Sequence, residues 1–596
     1  MRATGLLAVV PVIAVMILGL GQAIAAENCG SCHETQAADI AGSAHAKIGC
    51  APCHDRAKQH SASPEDIKPA VHFDLDMCGK CHPDQYKSYI YGDNIRTRFG
   101  GSPLKFAKTN DFPHYNDIID GHGFTKEYNE RRSHNVMLLD HFNITRGKYD
   151  TCLQCKSTKA AYYWNSGKEI TLGEGVAVKA GHMKEEIRVP KGTKIKMSTA
   201  SDAPYPNTHE VRILVTLPDG KVYSSYDYPG ATKDQNWTWS AIYAITVDGL
   251  AKNSPTRLSG NGCNECHNPH KVGHAKDGTK GFRIVRKAEL AAIEKGGLNP
   301  YKKDSAKILD DTVPLTVDGS IALCGQCHVN YVCGVSAIDK IDRDFFPWAK
   351  VRDLEALNHA TFPGYGIYSS LKHIQDWIHG TGPLSSPNSP ANGVKYNTPH
   401  PIGEVLTKNR HPEAETYWNS PHYGYNAKCY TCHMPKVTKA KGGSFTSHWM
   451  ASPYKYMSKE AAGPFARKLG LKLNKQGGID SCGGCHTGKA EAEKVAHAKK
   501  IQDETYATAL KIQDALVASL ASIQAAKAAK AAGKPVDDMM LKDAIEDHRE
   551  AHVRWENLVV SENSMGFHNP PEVKDELAKA LEYAASAKAK ADKSAQ

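Results

Sequence analysis

The cysteines of this 596-residue chain repeat in a pattern that constrains its fold more than any other feature. Of the 17 cysteines, all but Cys333 belong to Cys-x-x-Cys pairs. Seven pairs are followed at once by histidine: Cys29/Cys32/His33, Cys50/Cys53/His54, Cys78/Cys81/His82, Cys263/Cys266/His267, Cys324/Cys327/His328, Cys429/Cys432/His433 and Cys482/Cys485/His486. The eighth is Cys152-Leu153-Gln154-Cys155-Lys156, which ends in lysine.

This pattern is typical of covalent haem attachment. In a c-type site two thiols form thioethers with the porphyrin vinyl groups and the next residue binds the iron, so the five positions must be contiguous. A disulfide or zinc framework is the alternative, but paired zinc-binding cysteines rarely carry histidine at the next position every time. The sequence therefore predicts eight covalently bound haem c groups.

The N-terminus predicts export. Arg2 precedes an apolar run over residues 6–20, and Ala23-Ile24-Ala25 resembles a cleavage site, so residues 1–25 are interpreted as a signal peptide. A retained anchor helix is the alternative, although the run is shorter than the about 20 residues that span a bilayer. We expect the mature protein to be periplasmic.

Charge and hydropathy also agree with a haem protein. The formal net charge of +10 offsets haem propionates, so we expect no nucleic-acid partner, while a basic patch for an acidic redox partner stays open. Mean hydropathy is −0.48, and haem faces supply the apolar area that the side chains lack. The predicted fold class is mainly α: a multihaem cytochrome c with little β structure, a haem-packed core and long C-terminal helices.

Motif spacing divides the chain into three parts after the signal peptide. Residues 26–125 hold three motifs and form the predicted domain where electrons enter, and residues 126–490 hold five and form the predicted catalytic core. Residues 491–596 form a helical region. Within the core, strand-forming residues 211–216 precede the turn Pro218-Asp219-Gly220, which predicts one small hairpin between residues 183 and 230.

The C-terminal composition predicts three helices. The first runs from about residue 488 to Gly533-Lys534-Pro535, the second spans about 537–562, and Asn569-Pro570-Pro571 precedes the third. Apolar residues recur at helical spacing in the first: Ile512, Leu516, Leu520 and Ile523. We interpret this region as a platform for oligomerisation and haem cover, since His568 between two helices could bind iron. A solvated coiled appendage is the alternative.

The lysine motif is the predicted catalytic site. A haem iron with two histidine ligands has no vacant position and only relays electrons. Lys156 alone replaces the motif histidine, and its amine must be neutral to bind iron, so its pKa must fall far below about 10.4. A degenerate motif or a spacer haem is the alternative.

Here the chain resembles a known family. Cys-x-x-Cys-Lys is the active-site signature of the cytochrome c nitrite reductases, and residues 130–596 resemble their pentahaem core. Segments 324–331, 408–413 and 429–436 resemble the family segments that carry the active-site tyrosine, the active-site histidine and a further haem motif. The three additional N-terminal motifs make the chain similar to the octahaem nitrite reductases, which implies reduction of nitrite to ammonium.

The resemblance implies that Arg146, Tyr331 and His411 surround the open face of the Lys156 haem. A guanidinium binds an anion, an imidazole delivers protons near neutral pH, and a phenol donates to intermediates. Other interpretations stay open: Arg146 as a surface or propionate-binding residue, His411 as a ligand of another haem, and Tyr331 as a core residue.

Two neighbouring features distinguish this chain. Octahaem nitrite reductases join a Tyr-x-Cys pair through a thioether, which predicts a cross-link between Tyr331 and Cys333; a free or intermolecular thiol is the alternative. Where many relatives place calcium ligands, this chain has Asn330 and Arg410. Arginine cannot coordinate a cation, so calcium is doubtful and Arg410 is predicted to replace its charge.

The second histidine ligands of the electron-transfer haems are harder to assign from sequence. The family pattern suggests His134, His422, His448 and His568. In the N-terminal part, His45, His72, His114 and His122 are candidates by position alone. Their pairing with the motifs stays open.

Two other functions compete with nitrite reduction. Octahaem hydroxylamine or hydrazine oxidases run related chemistry oxidatively, but they have histidine at every motif. A non-catalytic electron conduit would have every iron saturated by protein ligands. The expected partners are nitrite, with hydroxylamine and sulfite as further substrates, a periplasmic or membrane-bound electron donor, and further copies of the chain in a homo-oligomer.

Overall fold

The architecture comes from a computed structural model. It describes residues 29–67, 75–92, 111–118, 134–136, 157–178, 187–199, 211–224, 260–273, 281–283, 316–330, 350–353 and 412–596. Several predicted features lie outside these residues: the signal peptide, Cys152, Cys155, Lys156, Arg146, Tyr331, Cys333, Arg410, His411, His72 and His122.

The fold is mainly α, as predicted. The α-helices, in chain order, are α1 (Glu34–Gly42), α2 (Ala57–Ala62), α3 (Leu75–Gly79), α4 (Pro83–Tyr89), α5 (Tyr115–Ile118), α6 (Thr158–Ser166), α7 (Val317–Gly325), α8 (Glu413–Tyr417), α9 (Pro421–Gly424), α10 (Cys429–His433), α11 (Pro453–Met457), α12 (Lys459–Leu469), α13 (Glu491–Ala531), α14 (Asp538–Trp555) and α15 (Pro570–Ser594). Short 3₁₀ helices span Cys29–Ser31, His134–Val136 and Cys263–Glu265. A π-helix, Glu556–Ser561, continues α14.

The β structure is antiparallel and more extensive than one hairpin. The strands are β1 (Glu169–Thr171), β2 (Val176–Val178), β3 (Ile187–Val189), β4 (Lys194–Thr199), β5 (Val211–Thr216), β6 (Val222–Ser224), β7 (Lys436–Thr438) and β8 (Ser444–Thr446). The predicted β5–β6 hairpin is present, with Leu214 opposite Ser224, but it is the edge of a sheet in the order β1-β4-β5-β6. Ile195, Met197, Ile213 and Val215 are fully buried, which explains why β4 joins β5.

Helices α13, α14 and α15 pack into the C-terminal bundle that the sequence predicted. The spacing of Ile512, Leu516, Leu520 and Ile523 along α13 places these side chains on its buried face. Asp537 caps α14 by accepting from the amides of Met539 and Met540, and Pro570 begins α15. The starts of α14 and α15 therefore follow local signals.

The bundle is packed against the rest of the protein and is not a solvated appendage. Phe112 and Tyr115 join the cluster that contains Trp555, and the Tyr506 hydroxyl donates to the Asp111 carbonyl. The Lys350 ammonium, only 5% exposed, contacts the Glu572 carboxylate at 2.7 Å. These contacts hold α13 and α15 against residues 111–118 and 350–353.

Within the described residues, no helix has the length and apolar character that crossing a membrane requires.

Candidate haem centres

Each described Cys-x-x-Cys-His motif forms one turn of helix. The histidine amide donates to the carbonyl of the first cysteine at 2.9 Å in Cys29–His33, Cys78–His82 and Cys324–His328, and at 3.0 Å in Cys50–His54, Cys263–His267 and Cys482–His486. In Cys429–His433 the same turn is helix α10. This turn brings two thiols and one imidazole to the same neighbourhood, which is what attachment of a porphyrin and binding of its iron require.

The second cysteine of a motif belongs to the same turn as the first. Its amide donates to the carbonyl of the first cysteine at 3.3 Å for Cys32, 3.2 Å for Cys81 and 3.1 Å for Cys327. Among the motif cysteines that the structure describes, none is joined to another by a disulfide. The geometry of these motifs therefore does not favour the disulfide framework that was the alternative to haem attachment.

The second cysteines of three motifs are accessible from outside the polypeptide. Cys32 and Cys81 are exposed, and Cys327 is only half-buried, so the surrounding side chains do not cover these sulfur atoms. The three thiols remain accessible to the group that they are proposed to bind.

A second imidazole faces every one of the seven motif histidines. The ring centroids of the seven pairs are 6.1–6.3 Å apart: His33 with His60, His45 with His82, His54 with His270, His134 with His328, His267 with His448, His422 with His486, and His433 with His568. The partners come from distant parts of the chain, so the tertiary fold assembles the pairs.

This spacing fits one metal ion between two imidazoles. Two rings that bind one metal from opposite sides, each through a nitrogen about 2.0 Å from it, have centroids about 6 Å apart. Rings that only contact each other, by stacking or edge to face, have centroid distances spread over about 4.5–7 Å. The narrow range across seven pairs, each beside a cysteine pair, fits a haem iron at each site.

The hydrogen bonds of the rings leave one nitrogen for metal. Nδ1 lies near a backbone carbonyl oxygen in four of them: His45 with Pro269 at 2.9 Å, His60 with Ile67 at 2.6 Å, His433 with Ala451 at 3.1 Å and His448 with Thr446 at 3.0 Å. A carbonyl only accepts, so Nδ1 carries the proton and Nε2 presents a lone pair. Metal-binding histidines are oriented in this way.

The protonation of four of the paired rings also favours metal binding. Burial, and then the neighbouring His568, lower the pKa of His433 to about 4. Burial is also the main cause that lowers the pKa of His270, His422 and His448. These imidazoles are neutral at physiological pH, as metal ligands must be.

The structure pairs five of the suggested second ligands with motif histidines. These are His45, His134, His422, His448 and His568. His114 belongs to no such pair, since its ring contacts Asp117 at 2.8 Å and every described motif histidine has another partner.

Two paired histidines were missed by the sequence analysis. His60 is six residues after His54, yet its ring faces His33; His270 is three residues after His267, yet its ring faces His54. Both lie close in sequence to a motif histidine, and this proximity could have marked them as candidates. It would not have shown which motif histidine each one faces.

Contacts between cysteines show which motifs are neighbours. The sulfur of Cys78 lies beside that of Cys263, and the sulfur of Cys324 lies beside that of Cys429. Other cysteine pairs are close enough to interact electrostatically: Cys53 with Cys78, Cys266 with Cys324, and Cys432 with Cys482. The motifs that begin at residues 50, 78, 263, 324, 429 and 482 therefore form a continuous series.

One described segment leads directly into the predicted active site. The amide of Asn330 donates to the Glu415 carboxylate at 2.9 Å, and both residues are buried. Burial raises the pKa of Glu415 well above its usual value, against the effect of backbone amide donors. This contact fixes the backbone just before Tyr331. No group of three or more acidic, histidine or cysteine residues in the described ranges is arranged to hold a metal ion.

Comparison with known proteins agrees with this arrangement. The family model for cytochrome c552 matches residues 74–171, 229–383 and 398–596, which is more than half of the chain. The catalytic subunit of the cytochrome c nitrite reductase from Desulfovibrio desulfuricans, described with two calcium sites, is a solved structure with 20% sequence identity and a TM-score of 0.53. The match covers 88% of this chain and 87% of that one.

The outer cell wall cytochrome OcwA is a more remote match, at 14% identity and a TM-score of 0.32 over 90% of this chain and 70% of that one. The family match and the nitrite reductase fold agree with the motifs and the paired rings. The chain therefore belongs to the cytochrome c552 family, has the mainly α fold of a cytochrome c nitrite reductase and, as a cytochrome c, carries covalently bound haem.

Proposed function

We propose that this protein reduces nitrite to ammonium at a haem bound by Cys152, Cys155 and Lys156, supplied with electrons by seven further haems. The observation that carries the proposal is the set of seven ring pairs, because an iron between two imidazoles has no position for substrate. Of the eight motifs, only the one ending in Lys156 lacks a motif histidine. An open coordination position therefore belongs there.

The chemistry requires six electrons and eight protons for each nitrite, with ammonium and two waters as products. A c-type haem, when bound, supplies an iron that holds nitrite and receives electrons. The series of neighbouring motifs provides a route for those electrons from the N-terminal part to the core. Short spacing between neighbouring cofactors is what such a route requires.

The proposed pocket residues supply charge and protons. Arg146 binds the anion, His411 transfers protons to its oxygens, and Tyr331 donates to later intermediates. Glu415, through the Asn330 amide, holds the backbone that carries Tyr331. The thioether between Tyr331 and Cys333 and the replacement of calcium by the Arg410 charge belong to the same proposal. The nitrite reductase with the similar fold is described with two calcium sites. Measuring the calcium content of the purified protein would therefore test the replacement by Arg410.

Export to the periplasm, an electron donor there or in the membrane, and association through the C-terminal bundle complete the proposal. Hydroxylamine and sulfite are further proposed substrates. An octahaem hydroxylamine or hydrazine oxidase remains a second candidate, but it has histidine where this chain has Lys156.

The test is reduction of nitrite and of hydroxylamine by the purified holoprotein with reduced methyl viologen, comparing wild type with Lys156→His. We expect ammonium from wild type and a much lower rate from the variant. An electronic spectrum of the oxidised wild type should show a high-spin haem that changes on addition of nitrite or cyanide. If every iron is low-spin and no ligand binds, the protein is an electron conduit and the proposal is wrong.

A further inference from the structure

A carboxylate hydrogen-bonds Nδ1 of one paired imidazole, whereas backbone carbonyls contact Nδ1 of four others. Glu562 directly follows the π-helix and is fully buried. Its Oε1 hydrogen-bonds Nδ1 of His568, the ring that faces His433. Its Oε2 accepts from the Ser564 amide at 2.8 Å and from the Ser564 hydroxyl at 2.7 Å.

The three partners all act as donors to Glu562. The Ser564 amide can only donate, and the Ser564 hydroxyl points to the same oxygen. With Nε2 of His568 directed to an iron, Nδ1 must carry the proton that Glu562 accepts. A carboxylate that receives three hydrogen bonds is stabilised as an anion even where it is buried. The π-helix contributes to this contact because the helical segment ends at Ser561, which places Glu562 next to His568.

The group at Nδ1 of His568 differs in charge from the groups at Nδ1 of four other paired rings. His45, His60, His433 and His448 present Nδ1 to neutral carbonyls, whereas His568 presents it to a carboxylate. A carboxylate draws the Nδ1 proton more strongly and makes the ring a better electron donor to the metal. A buried negative charge also favours the more positive, ferric iron by Coulomb's law. Both effects lower the reduction potential.

We infer that Glu562 is a positioning residue that lowers the reduction potential of the haem attached at Cys429 and Cys432, below that of the haems where His45, His60 and His448 contact carbonyls. This motif lies between those that begin at Cys324 and Cys482. An electron that crosses it in either direction therefore meets an uphill step. The inference rests on the proposed iron ligation by His433 and His568 and is independent of the substrate.

The experiment compares wild-type holoprotein with Glu562→Gln, which keeps the shape of the side chain and removes its charge. Spectroelectrochemistry should show one haem whose reduction potential rises by at least about 59 mV, the equivalent of a tenfold change for a one-electron couple. Glu562→Asp, which keeps the charge, should shift it less.

The matched control is Glu556→Gln. Glu556 is the first residue of the π-helix that Glu562 follows, and it is also buried, but it contacts His552, which belongs to none of the seven ring pairs. We expect the potentials of this variant to equal those of wild type.

Two outcomes would overturn the inference. In the first, Glu562→Gln keeps all its low-spin haems and shows unchanged potentials. In the second, Glu556→Gln shifts the same haem equally, which would trace the effect to general loss of buried charge. Electron paramagnetic resonance of both variants reports whether His568 still binds iron. Since the readout is a potential, failure of the nitrite proposal, tested with Lys156→His, leaves this result interpretable.

Discussion

At the scale of single residues, the identity of a ligand follows from the motif but its partner does not. One helical turn joins the cysteines and the histidine of a contiguous motif, so they are placed to bind the same haem. The second imidazole has no such local constraint. His45 was a candidate by position and does face a motif histidine, whereas His60 and His270 were not candidates at all. Sequence position alone could not choose among 29 histidines.

The His60 pairing predicts a specific spectroscopic change. In His60→Ala the iron proposed to lie between His33 and His60 loses one axial ligand. The number of high-spin haems should therefore rise from one to two per chain. Magnetic circular dichroism or electron paramagnetic resonance of the oxidised protein measures this number. The control is His114→Ala, whose side chain is 47% exposed and contacts Asp117; its spectrum should match wild type. An unchanged spectrum of His60→Ala would contradict the pairing.

The Tyr331–Cys333 cross-link predicts a mass change. Formation of the thioether removes two hydrogens, so the peptide that contains both residues should be lighter by that amount and should resist alkylation at Cys333. Peptide mass spectrometry measures both properties. Cys333→Ser should restore the uncross-linked tyrosine and lower the rate of nitrite reduction. Detection of an unmodified thiol at Cys333 in the wild type would exclude the cross-link.

At the scale of elements, local sequence signals predicted the C-terminal helices better than the sheet. Caps and proline mark the helix ends directly. The β5–β6 hairpin was recognisable because its turn is local. Strand β4 pairs with β5 across the longer connection 200–210, and β1 joins through β4, so no short turn marks these partners and they depend on burial of shared side chains. The π-helix after α14 has no comparable local signal.

The packing of α13 predicts a destabilised variant. Leu516 is fully buried in the cluster with Trp555 and Leu577, so Leu516→Ala leaves a cavity and should lower the free energy of unfolding by about 2–5 kcal/mol. Chemical denaturation followed by far-ultraviolet circular dichroism measures the change. Lys511→Ala, at an exposed position of the same helix, should change it by less than about 0.5 kcal/mol.

A buried histidine in α14 predicts acid sensitivity of the bundle. Burial, and then the neighbouring His552, lower the pKa of His548 to about 3, and its Nδ1 lies 2.8 Å from the Ser519 hydroxyl. The unfolded chain binds a proton at this position near pH 6.5, whereas the folded chain does not. Its contribution to stability is therefore complete above about pH 6.5 and declines as the pH falls towards about 3.

His548→Gln should reduce that decline. Between pH 6.5 and 4, the slope of the unfolding free energy against pH should be smaller than in wild type by up to about 1.4 kcal/mol per unit. Denaturation measured at a series of pH values tests this. His497→Gln, at an exposed position, should keep the wild-type slope. Equal slopes for wild type and His548→Gln would show that this group does not control acid stability.

At the scale of the whole molecule, haem takes the place of much of the side-chain core. Apolar clusters form in the C-terminal bundle and around Trp449 and Phe465, while the motif pairs bring imidazoles and thiols together between distant segments. The pair His54–His270 joins an N-terminal motif to a histidine beyond residue 126, so the proposed N-terminal domain and core share a site. Haem insertion and folding are therefore expected to be coupled.

The motif count and the signal peptide predict the mass and haem content of the mature protein. Intact-protein mass spectrometry should give the mass of the chain without residues 1–25 plus eight haems, and a pyridine haemochrome assay should give the same number. Ser substitution of both Cys482 and Cys485 should remove one haem and lower the thermal stability of the bundle, because His422 and His486 lose their shared metal. A wild-type mass with fewer haems would contradict the prediction.

The sequence alone determined the family and the C-terminal helices, and it predicts the attachment sites, because thioether formation and helix capping depend on residues that are close along the chain. Only the tertiary structure decided which imidazole faces which motif, which motifs are neighbours, and that Glu562 contacts His568. These relations join residues that packing alone brings together. The distance between two imidazoles is fixed by the folded backbone and has no counterpart in the order of the residues.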